Sequence, residues 1–363
     1  MQQTKKILIC PLHWGLGHAT RDIPIILELQ KAGFEIIVGA DSEICNFIKA
    51  NITGLTYHEI RGYKVRYSKF NTQILRMFFL IPSIIFWTVK EHYLLKKIIA
   101  NQKVDVVISD HRFGLWNNKT YNIFITHQLK VKFPGFLKFL EPCYQMVSDF
   151  IIGKYDECWI PDYKDSNNLA GVLSHQKSKL KNLKYIGPIS RFNSLDIKSQ
   201  AKSIDVLFLL SGPEPQRNIL EEIIYKQTKK TNLNLMLIRG TNQPSKYSFS
   251  FPIMNLVNKK QLQDYIAISK LVICRAGYSS IMDLVELRQR AVLVPTPGQT
   301  EQEYLARHLA EKGYFYSMPQ NEFRLETAIQ KASDYPADLS SENKLLRCQV
   351  EKLKEKKNKQ VNN

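Results

Sequence analysis

Residues 271–309 read LVICRAGYSSIMDLVELRQRAVLVPTPGQTEQEYLARHL. Two short apolar runs, 271–274 and 291–295, are each followed by a turn and then by a stretch of helical periodicity, near 279–287 and 301–312. Strands that alternate with amphipathic helices are typical of β-α-β units. This stretch therefore predicts part of a parallel sheet that carries helices.

The same alternation extends over all 363 residues. The predicted fold class is therefore α/β, with two Rossmann-like, doubly wound domains that face a central cleft. The pattern breaks into a polar passage after Gly187 and Pro188, and a new apolar run opens at Ile204. We predict a first domain at 1–190, a linker at 191–203, a second domain at 204–340 and a basic tail at 341–363, either solvated or frayed. Further strands are expected at 7–12, 34–38, 104–109, 121–126, 157–160, 204–210 and 233–239, and further helices at 23–31, 216–229 and 261–269.

Composition places the chain among globular proteins. Hydrophobic residues make up 44%, charged residues 23% and aromatic residues 11%, which excludes a disordered, collagen-like or disulfide-stapled chain. The formal net charge of +18 favours an anionic partner, either nucleic acid, an acidic membrane or a phosphorylated substrate. The sequence has no basic-aromatic recognition motif, so we predict no specific nucleic-acid partner.

The six cysteines stand singly, at positions 10, 45, 143, 158, 274 and 348. Because no Cys/His spacing fits zinc, we predict no metal site, and free thiols indicate a reducing compartment. The apolar run near the amino terminus is too short for the core of a signal peptide. The expected location is cytoplasmic.

The segment at 74–89, ILRMFFLIPSIIFWTV, is almost wholly apolar. A helix of this length spans roughly 24 Å, less than the ~30 Å hydrocarbon core of a bilayer, so a transmembrane helix is not predicted. Basic residues flank the segment over 64–97. Two interpretations stay open: a helix buried against the sheet, or a basic-rimmed apolar patch on an anionic membrane, at the inner face of the plasma membrane.

The loop after the first predicted strand reads HWGLGHATR. Gly15 and Gly17 allow the backbone to approach a ligand, and the following helix terminus favours negative charge. A dinucleotide site is disfavoured because Thr20 replaces the third glycine of GxGxxG. His18 is interpreted either as a general base or as a cap of the helix end.

Polar groups also follow two later strands of the first half. Asp110 directly follows the run 104–109 and is either a base for an acceptor hydroxyl or the cap of the next turn. His127 and Gln128 follow the run 121–126. Because α/β folds bind ligands beyond the carboxyl ends of their strands, these residues are assigned to the acceptor side or the cleft.

Two loops of the second half suit phosphate and sugar groups. Ser211, Gly212 and Arg217 follow the run 204–210 and offer small residues, amides and a fixed cation. The P-loop pattern is absent there, so kinase or ATPase chemistry is not predicted. Gln299 and Gln302 follow the last long strand and can bind sugar hydroxyls.

A third loop opens the helix near 279. Gly277 permits close approach of a ligand beside Arg275, and Ser279 and Ser280 offer hydroxyls and amides at the helix start. Asp283 lies roughly one turn further along, where it either accepts the two hydroxyls of a ribose or is simply solvated. The composition of the preceding loop favours recognition.

The stretch quoted first resembles the carboxyl-terminal domain of family 28 glycosyltransferases, most clearly those of the MurG type. In the first half, WGLGHATR resembles the glycine-rich first loop of this family, and THQ at 126–128 is similar to its HEQ. The resemblance implies a GT-B fold, in which the second Rossmann-like domain holds most of the nucleotide sugar and the first holds the acceptor.

Carried over by residue, the resemblance implies that Asp283 holds the ribose of UDP, where the family has Glu. It places Gln302 near the sugar, His18 as the first-loop histidine, and Arg275, Gly277 and Ser280 on the donor loop. The sequence departs from the family at SGPEPQR, which replaces a more glycine-rich loop, and at the acceptor-side loops. Peptidoglycan lipid as acceptor therefore does not follow.

The leading hypothesis is an inverting, metal-independent and cofactor-independent transfer of a hexose from a UDP-sugar to an unknown saccharide or lipid-linked acceptor. His18, or secondly Asp110, would act as base, and helix amino termini with Arg217 or Arg275 would stabilise the diphosphate. No acidic DxD-type pair occurs in these loops. Two alternatives stay open: a nucleotide-sugar epimerase on the same fold, and a non-catalytic nucleotide-sugar-binding subunit of a two-protein transferase.

Overall fold

The computed structural model describes residues 4–13, 16–62, 73–133, 135–175, 179–192, 201–335 and 344–356. The chain divides into two compact units. The first is formed chiefly by residues up to Ile189 and by the last helix, and the second chiefly by Ser190–Ser341.

The first unit is built on a parallel sheet of seven strands within the described residues. The strands are β1 (Lys6–Cys10), β2 (Glu35–Ala40), β3 (Thr56–Glu59), β4 (Val106–Asp110), β5 (Tyr121–Ile125), β6 (Glu157–Ile160) and β7 (Leu183–Tyr185). Their order is β3-β2-β1-β4-β5-β6-β7, so the winding reverses between β1 and β4. Every residue of β4 and β6 is buried, which explains continuous apolar runs that show no alternation.

Four α-helices connect the strands in the described part of this unit. They are α1 (Leu16–Lys31), α2 (Ser42–Lys49), α3 (Gln73–Gln102) and α4 (Glu141–Ile152). The segment predicted at 74–89 is thus the first half of α3. Ile98 and Ile99 in the second half of α3 pack with Leu8 and Val107 of the sheet.

The second unit repeats this plan with six parallel strands in its described part. They are β8 (Ile204–Leu209), β9 (Leu235–Ile238), β10 (Ile253–Met254), β11 (Ser269–Cys274), β12 (Ala291–Leu293) and β13 (Tyr316–Ser317), in the order β10-β9-β8-β11-β12-β13. The helices are α5 (Gln216–Thr228), α6 (Lys259–Ala267), α7 (Tyr278–Glu286), α8 (Thr300–Glu311) and α9 (Leu325–Ala332). The two doubly wound sheets confirm the predicted α/β fold class.

The last helix, α10 (Lys344–Glu355), lies in the segment expected to be a solvated or frayed tail. It packs instead on α1 of the first unit. Leu346, Val350 and Leu353 recur at a spacing of four and three residues, share one helical face and are buried. The Lys5 ammonium donates to the carbonyl of Lys354 at 3.0 Å, near the end of the helix.

No helix in the described part of the chain is both long enough and apolar enough to span a bilayer. The side chains of 73–81, at the start of α3, lie outside the described residues.

Candidate active site

In the first unit, the carboxyl ends of β1, β4 and β5 lie side by side and bring together the polar residues that follow them. His18 stands in the first turn of α1, Asp110 is the last residue of β4, and His127 comes two residues after β5. The winding reverses between β1 and β4, which is where α/β sheets of this kind bind ligands.

His18 and Asp110 are in direct contact. The Nδ1 atom of His18 lies 2.8 Å from Oδ2 of Asp110. The side chain of Asp110 is fully buried, whereas that of His18 is 21% exposed. Nη2 of Arg21 lies 3.0 Å from the same Nδ1 atom and can only donate, whereas the nearer Asp110 carboxylate can only accept. We assign the proton to Nδ1 on the shorter contact, with Asp110 as acceptor, and this tautomer leaves Nε2 as the basic nitrogen. Of the two candidate bases, only His18 reaches solvent, so Asp110 is suited to orient it.

Arg21 holds this pair in place from the next turn of α1. Its guanidinium donates to Oδ1 of Asp110 and lies 3.1 Å from Nδ1 of His127. Burial alone would raise the pKa of the Asp110 carboxyl, but Arg21 and His18 outweigh it and hold that pKa below its usual range. Asp110 is therefore ionised at all ordinary pH values, and Arg21 balances its charge.

A third histidine, His111, completes the cluster. It adopts a left-handed backbone conformation with φ of 57°, and its Nδ1 lies 3.0 Å from the hydroxyl of Thr126. Burial, together with the nearby His18, lowers the pKa of His111 to about 3. The ring is thus neutral at working pH, and non-glycine residues in this conformation are concentrated at functional sites.

The other residues predicted for the acceptor side lie in different parts of the first unit. Gly17 is exposed in the first turn of α1, and the backbone N–H of Gln128 donates to the hydroxyl of Thr126 at 2.9 Å. Gly15 lies outside the described residues. Sequence reasoning assigned no role to Arg21, although its spacing of three residues from His18 on a helix places both on one face.

In the second unit, Arg217 was expected to be a cation for phosphate. Its Nε donates to Glu214 at 2.9 Å, and a terminal nitrogen donates to the carbonyl of Gly240 at 3.2 Å. Glu214 thus neutralises Arg217 in this structure. Ser211 and Gly212 precede α5 as predicted, and Gly212 has a φ of +91°, a conformation that favours glycine.

Arg275 is 1% exposed. Its guanidinium donates to the carbonyls of Val294 at 3.2 Å and Gln216 at 2.7 Å, and to the side-chain oxygen of Gln320 at 2.6 Å. Burial lowers the pKa of Arg275 to about 10. The structure therefore gives Arg275 the task of fixing three neighbouring loops, rather than direct access to a diphosphate.

Helix α7 begins as the donor loop predicts. Gly277 is its N-cap, with no side-chain cap hydrogen bond, and Ser279 and Ser280 stand half-buried in its first turn. A Cβ placed on Gly277 would meet only the Ser280 hydroxyl, at 3.9 Å. The helix terminus therefore has space beside it, where its backbone dipole favours an anion.

Asp283 does not face open solvent. It is 4% exposed, and Oδ1 accepts from the Ser190 hydroxyl at 2.7 Å while Oδ2 accepts from Nε of Arg191 at 3.0 Å. Burial raises the pKa of its carboxyl, although Arg191 and Ser190 oppose that shift. Binding a ribose at Asp283 would thus require exchange of these partners, and the role assigned to it stays a prediction.

The two glutamines after β12 form a local network. The side-chain oxygen of Gln302 accepts from the backbone N–H of Thr296 at 2.9 Å, and its amide donates to the Gln299 oxygen at 2.5 Å. Both side chains are half-buried, so their remaining groups can reach a ligand. Across the described ranges, no group of three potential ligands is arranged to hold a metal ion.

Comparison with known proteins agrees with this architecture. Residues 207–360 match the model of the "Glycosyltransferase family 28 C-terminal domain". An uncharacterized glycosyltransferase of Methanosarcina acetivorans is 27% identical over 335 residues, which cover 85% of this chain and 84% of the relative.

Among solved structures, the glycosyltransferase of kitacinnamycin has a TM-score of 0.67 at 13% identity, with 96% of both chains covered. MurG of Acinetobacter baumannii has a TM-score of 0.57 at 12% identity, with 96% of this chain and 95% of that one covered. The fold is that of the GT-B glycosyltransferases. More particularly, the match of residues 207–360 to the family 28 carboxyl-terminal domain confirms the resemblance inferred from 271–309.

Proposed function

We propose that this protein is a UDP-sugar-dependent glycosyltransferase in which His18 is the general base. The observation that carries the proposal is the contact between His18 and Asp110, in which the imidazole reaches solvent and the carboxylate is fully buried. A buried carboxylate that accepts from one ring nitrogen orients the imidazole and leaves the other nitrogen to take a proton.

The proposed reaction is a single displacement with inversion. Nε2 of His18 removes the proton of an acceptor hydroxyl while that oxygen attacks the anomeric carbon of the donor. The bond from this carbon to the β-phosphate oxygen breaks, and UDP leaves with the electron pair. Asp110 stabilises the imidazolium that forms, because its charge is maintained by Arg21.

The second unit is proposed to hold the donor. The amino termini of α5 and α7 offer backbone dipoles for the diphosphate, with Ser211, Gly212, Gly277 and Ser280 lining these loops. Stabilisation by helix dipoles supports transfer without a metal ion. Arg275 is proposed to position the loops, and the half-buried Gln299 and Gln302 to bind sugar hydroxyls.

The acceptor is proposed to be a saccharide at or near an anionic membrane surface. Ile85, Phe86 and Val89 on α3 are exposed, as are Phe139 and Phe150 around α4, all in the first unit. Exposed lysines accompany both helices, at 90, 96, 97, 138 and 154. Large apolar side chains next to cations are typical of proteins that rest on anionic lipid.

The test is incubation of the purified protein with a panel of UDP-hexoses and UDP-N-acetylhexosamines, combined with calorimetric titration of UDP. We expect UDP binding and slow release of UDP by hydrolysis, which the His18→Ala variant lacks. A converted sugar still attached to UDP would instead establish an epimerase. Binding without turnover in any condition would favour a non-catalytic subunit, and absence of both binding and release would refute the proposal.

A further inference from the structure

Beside the candidate base lies a second aspartate that the proposed reaction leaves unused. Asp22 follows Arg21 on α1 and is 0% exposed. Neither of its carboxyl oxygens makes a hydrogen bond to a protein donor within the described part of the chain. Its carboxyl faces that of Asp110.

Among the residues that the structure describes, Arg21 is the one permanent cation that acts on Asp22. The neutral thiol of Cys10 on β1 and the carboxyl of Asp110 at the end of β4 also interact with Asp22. The three histidines of the cluster interact with Asp110 or Arg21 rather than with Asp22, and they are His18, His111 and His127. Arg21 already donates to Asp110, as does His18. One guanidinium cannot balance two buried carboxylates, so the two carboxyls cannot both be ionised.

We propose that Asp22 is a positioning residue that keeps its proton and donates it to Asp110, so that the Asp110 carboxylate is held at a fixed angle to His18. The inference rests on the proposed function of His18 and extends it by one residue. Asp110 is the ionised partner because it has the donors, whereas Asp22 has none.

This assignment has a consequence for stability. Burial, and then the charge of Asp110, raises the pKa of Asp22 well above its usual value. A carboxyl whose pKa is higher in the folded than in the unfolded state stabilises the fold at low pH and loses that contribution as the pH rises through the folded-state value. Asp22→Asn cannot ionise, so the wild type should lose stability relative to this variant as the pH rises.

Four variants test the inference: Asp22→Asn, Asp22→Leu, Asp110→Asn as the reference for a lost carboxylate and, as an exposed control, Asp334→Asn. Asn is neutral and still offers a donor to Asp110, so D22N should retain UDP release within about threefold of wild type. D22L has no donor and should lose about 10- to 100-fold, as expected for one hydrogen bond to a charged group. D334N should match the wild type.

The second measurement is urea unfolding of the wild type, D22N and D334N between pH 5 and 9. We expect the stability of D22N relative to wild type to increase with pH, whereas the difference for D334N stays constant. A folded D22N with activity as low as that of Asp110→Asn would show that Asp22 acts as a carboxylate, and would overturn the inference. A pH-independent D22N difference, or a fully active D22L, would overturn it too. If no UDP-sugar is turned over by the wild type, the unfolding series still decides whether Asp22 holds the proton.

Discussion

The imidazole of His18 is held by two neighbours with different tasks, since Asp110 orients it and Arg21 maintains the charge of Asp110. Replacement of His18 by alanine should lower the rate of sugar transfer by about 10²–10⁴-fold, the usual contribution of a general base. Affinity for UDP should stay unchanged, because the nucleotide is assigned to the second unit. Parallel turnover and calorimetric measurements check this, and a matching loss of UDP affinity would contradict the assignment.

Arg21 should contribute to the stability of the fold as well as to the reaction. Arg21→Met leaves the buried carboxylate of Asp110 without its cation, which should cost about 3–5 kcal/mol at neutral pH. The pKa of Asp110 is lower in the folded state than in the unfolded state. The ionised carboxylate therefore adds to the free energy of unfolding above its ordinary pKa, and this addition is lost as the pH falls through the pKa of the folded state. The difference in the free energy of unfolding between wild type and Arg21→Met should therefore become smaller at acidic pH.

Urea unfolding at pH 7 and at a pH below 3.8, the ordinary carboxyl pKa, measures this difference in stability. The exposed Arg307, 3.9 Å from Glu311, provides the control, and Arg307→Met should change stability by less than about 0.5 kcal/mol. Equal effects of the two substitutions would contradict the role given to Arg21.

At this scale the sequence identified the residue types better than their partners. His18, Asp110 and His127 were expected at strand ends, and the structure brings all three together around Arg21. The contacts of Arg275 and Asp283 were not predictable, because their partners are 19 to 93 residues away in the chain. Side-chain pairing over such separations leaves no local pattern.

Helix α10 is the element whose role differs most from expectation. Its charge predicts a solvated helix, but three buried side chains attach it to the first unit. Leu353→Ala should cost about 2–3 kcal/mol, because it removes buried methyl groups from a packed face. Leu345→Ala, at a position 40% exposed, should change stability by less than about 0.5 kcal/mol. Chemical denaturation of both variants tests this prediction. Equal losses of stability in the two variants would contradict the packing of α10 on the first unit.

Helix α7 allows a test of donor placement. Gly277→Ala has room in this structure and a permitted backbone conformation, with φ of −77°, so it should cost less than about 1 kcal/mol. If a phosphate approaches the helix terminus at Gly277, the added methyl should weaken UDP binding about tenfold or more. Calorimetric titration of UDP into a variant with a normal melting temperature checks this. An unchanged affinity for UDP would show that the diphosphate does not bind at the start of α7.

Among the elements, the central strands were the most predictable. Strand β4 contains the apolar run 106–108 and follows helix α3, and strand β8 contains the apolar run 206–209 and precedes helix α5, which is a strong local signal. Strands β3, β7, β10 and β13 were not predicted, because they are two to four residues long and lie at or near sheet edges. Only their hydrogen-bonded neighbours define them.

For the molecule as a whole, we expect the net charge of +18 to favour binding to anionic membranes. The protein should bind vesicles that contain phosphatidylserine and ignore those of phosphatidylcholine alone, and added salt should weaken the binding. Replacing Phe139 and Phe150 with serine should lower vesicle affinity by about tenfold or more, since two large apolar side chains no longer enter the interface.

Vesicle co-sedimentation measures this effect. Leu256 in the second unit is 51% exposed, and Leu256→Ser provides a control for loss of an apolar side chain elsewhere. Equal behaviour of the two variants would show that the surface of α3 and α4 has no special part in membrane contact.

Two doubly wound domains could be predicted from alternating periodicity alone, and the break after Gly187 and Pro188 lies next to the unit boundary at Ile189 and Ser190. The identity of the sugar and the acceptor could not, because the acceptor-side loops do not reproduce the family pattern. Their specificity depends on three-dimensional shape rather than on a sequence motif.

The attachment of α10 to α1 also affects how the polypeptide matures on the ribosome. The partners of this pair are separated by more than three hundred residues, so the amino-terminal half leaves the exit tunnel long before its last supporting helix is made. Domains usually fold as they emerge, the amino-terminal one first. In this chain the last helix of the first unit is translated after the second unit, so the part of α1 that receives Leu346, Val350 and Leu353 stays uncovered until then.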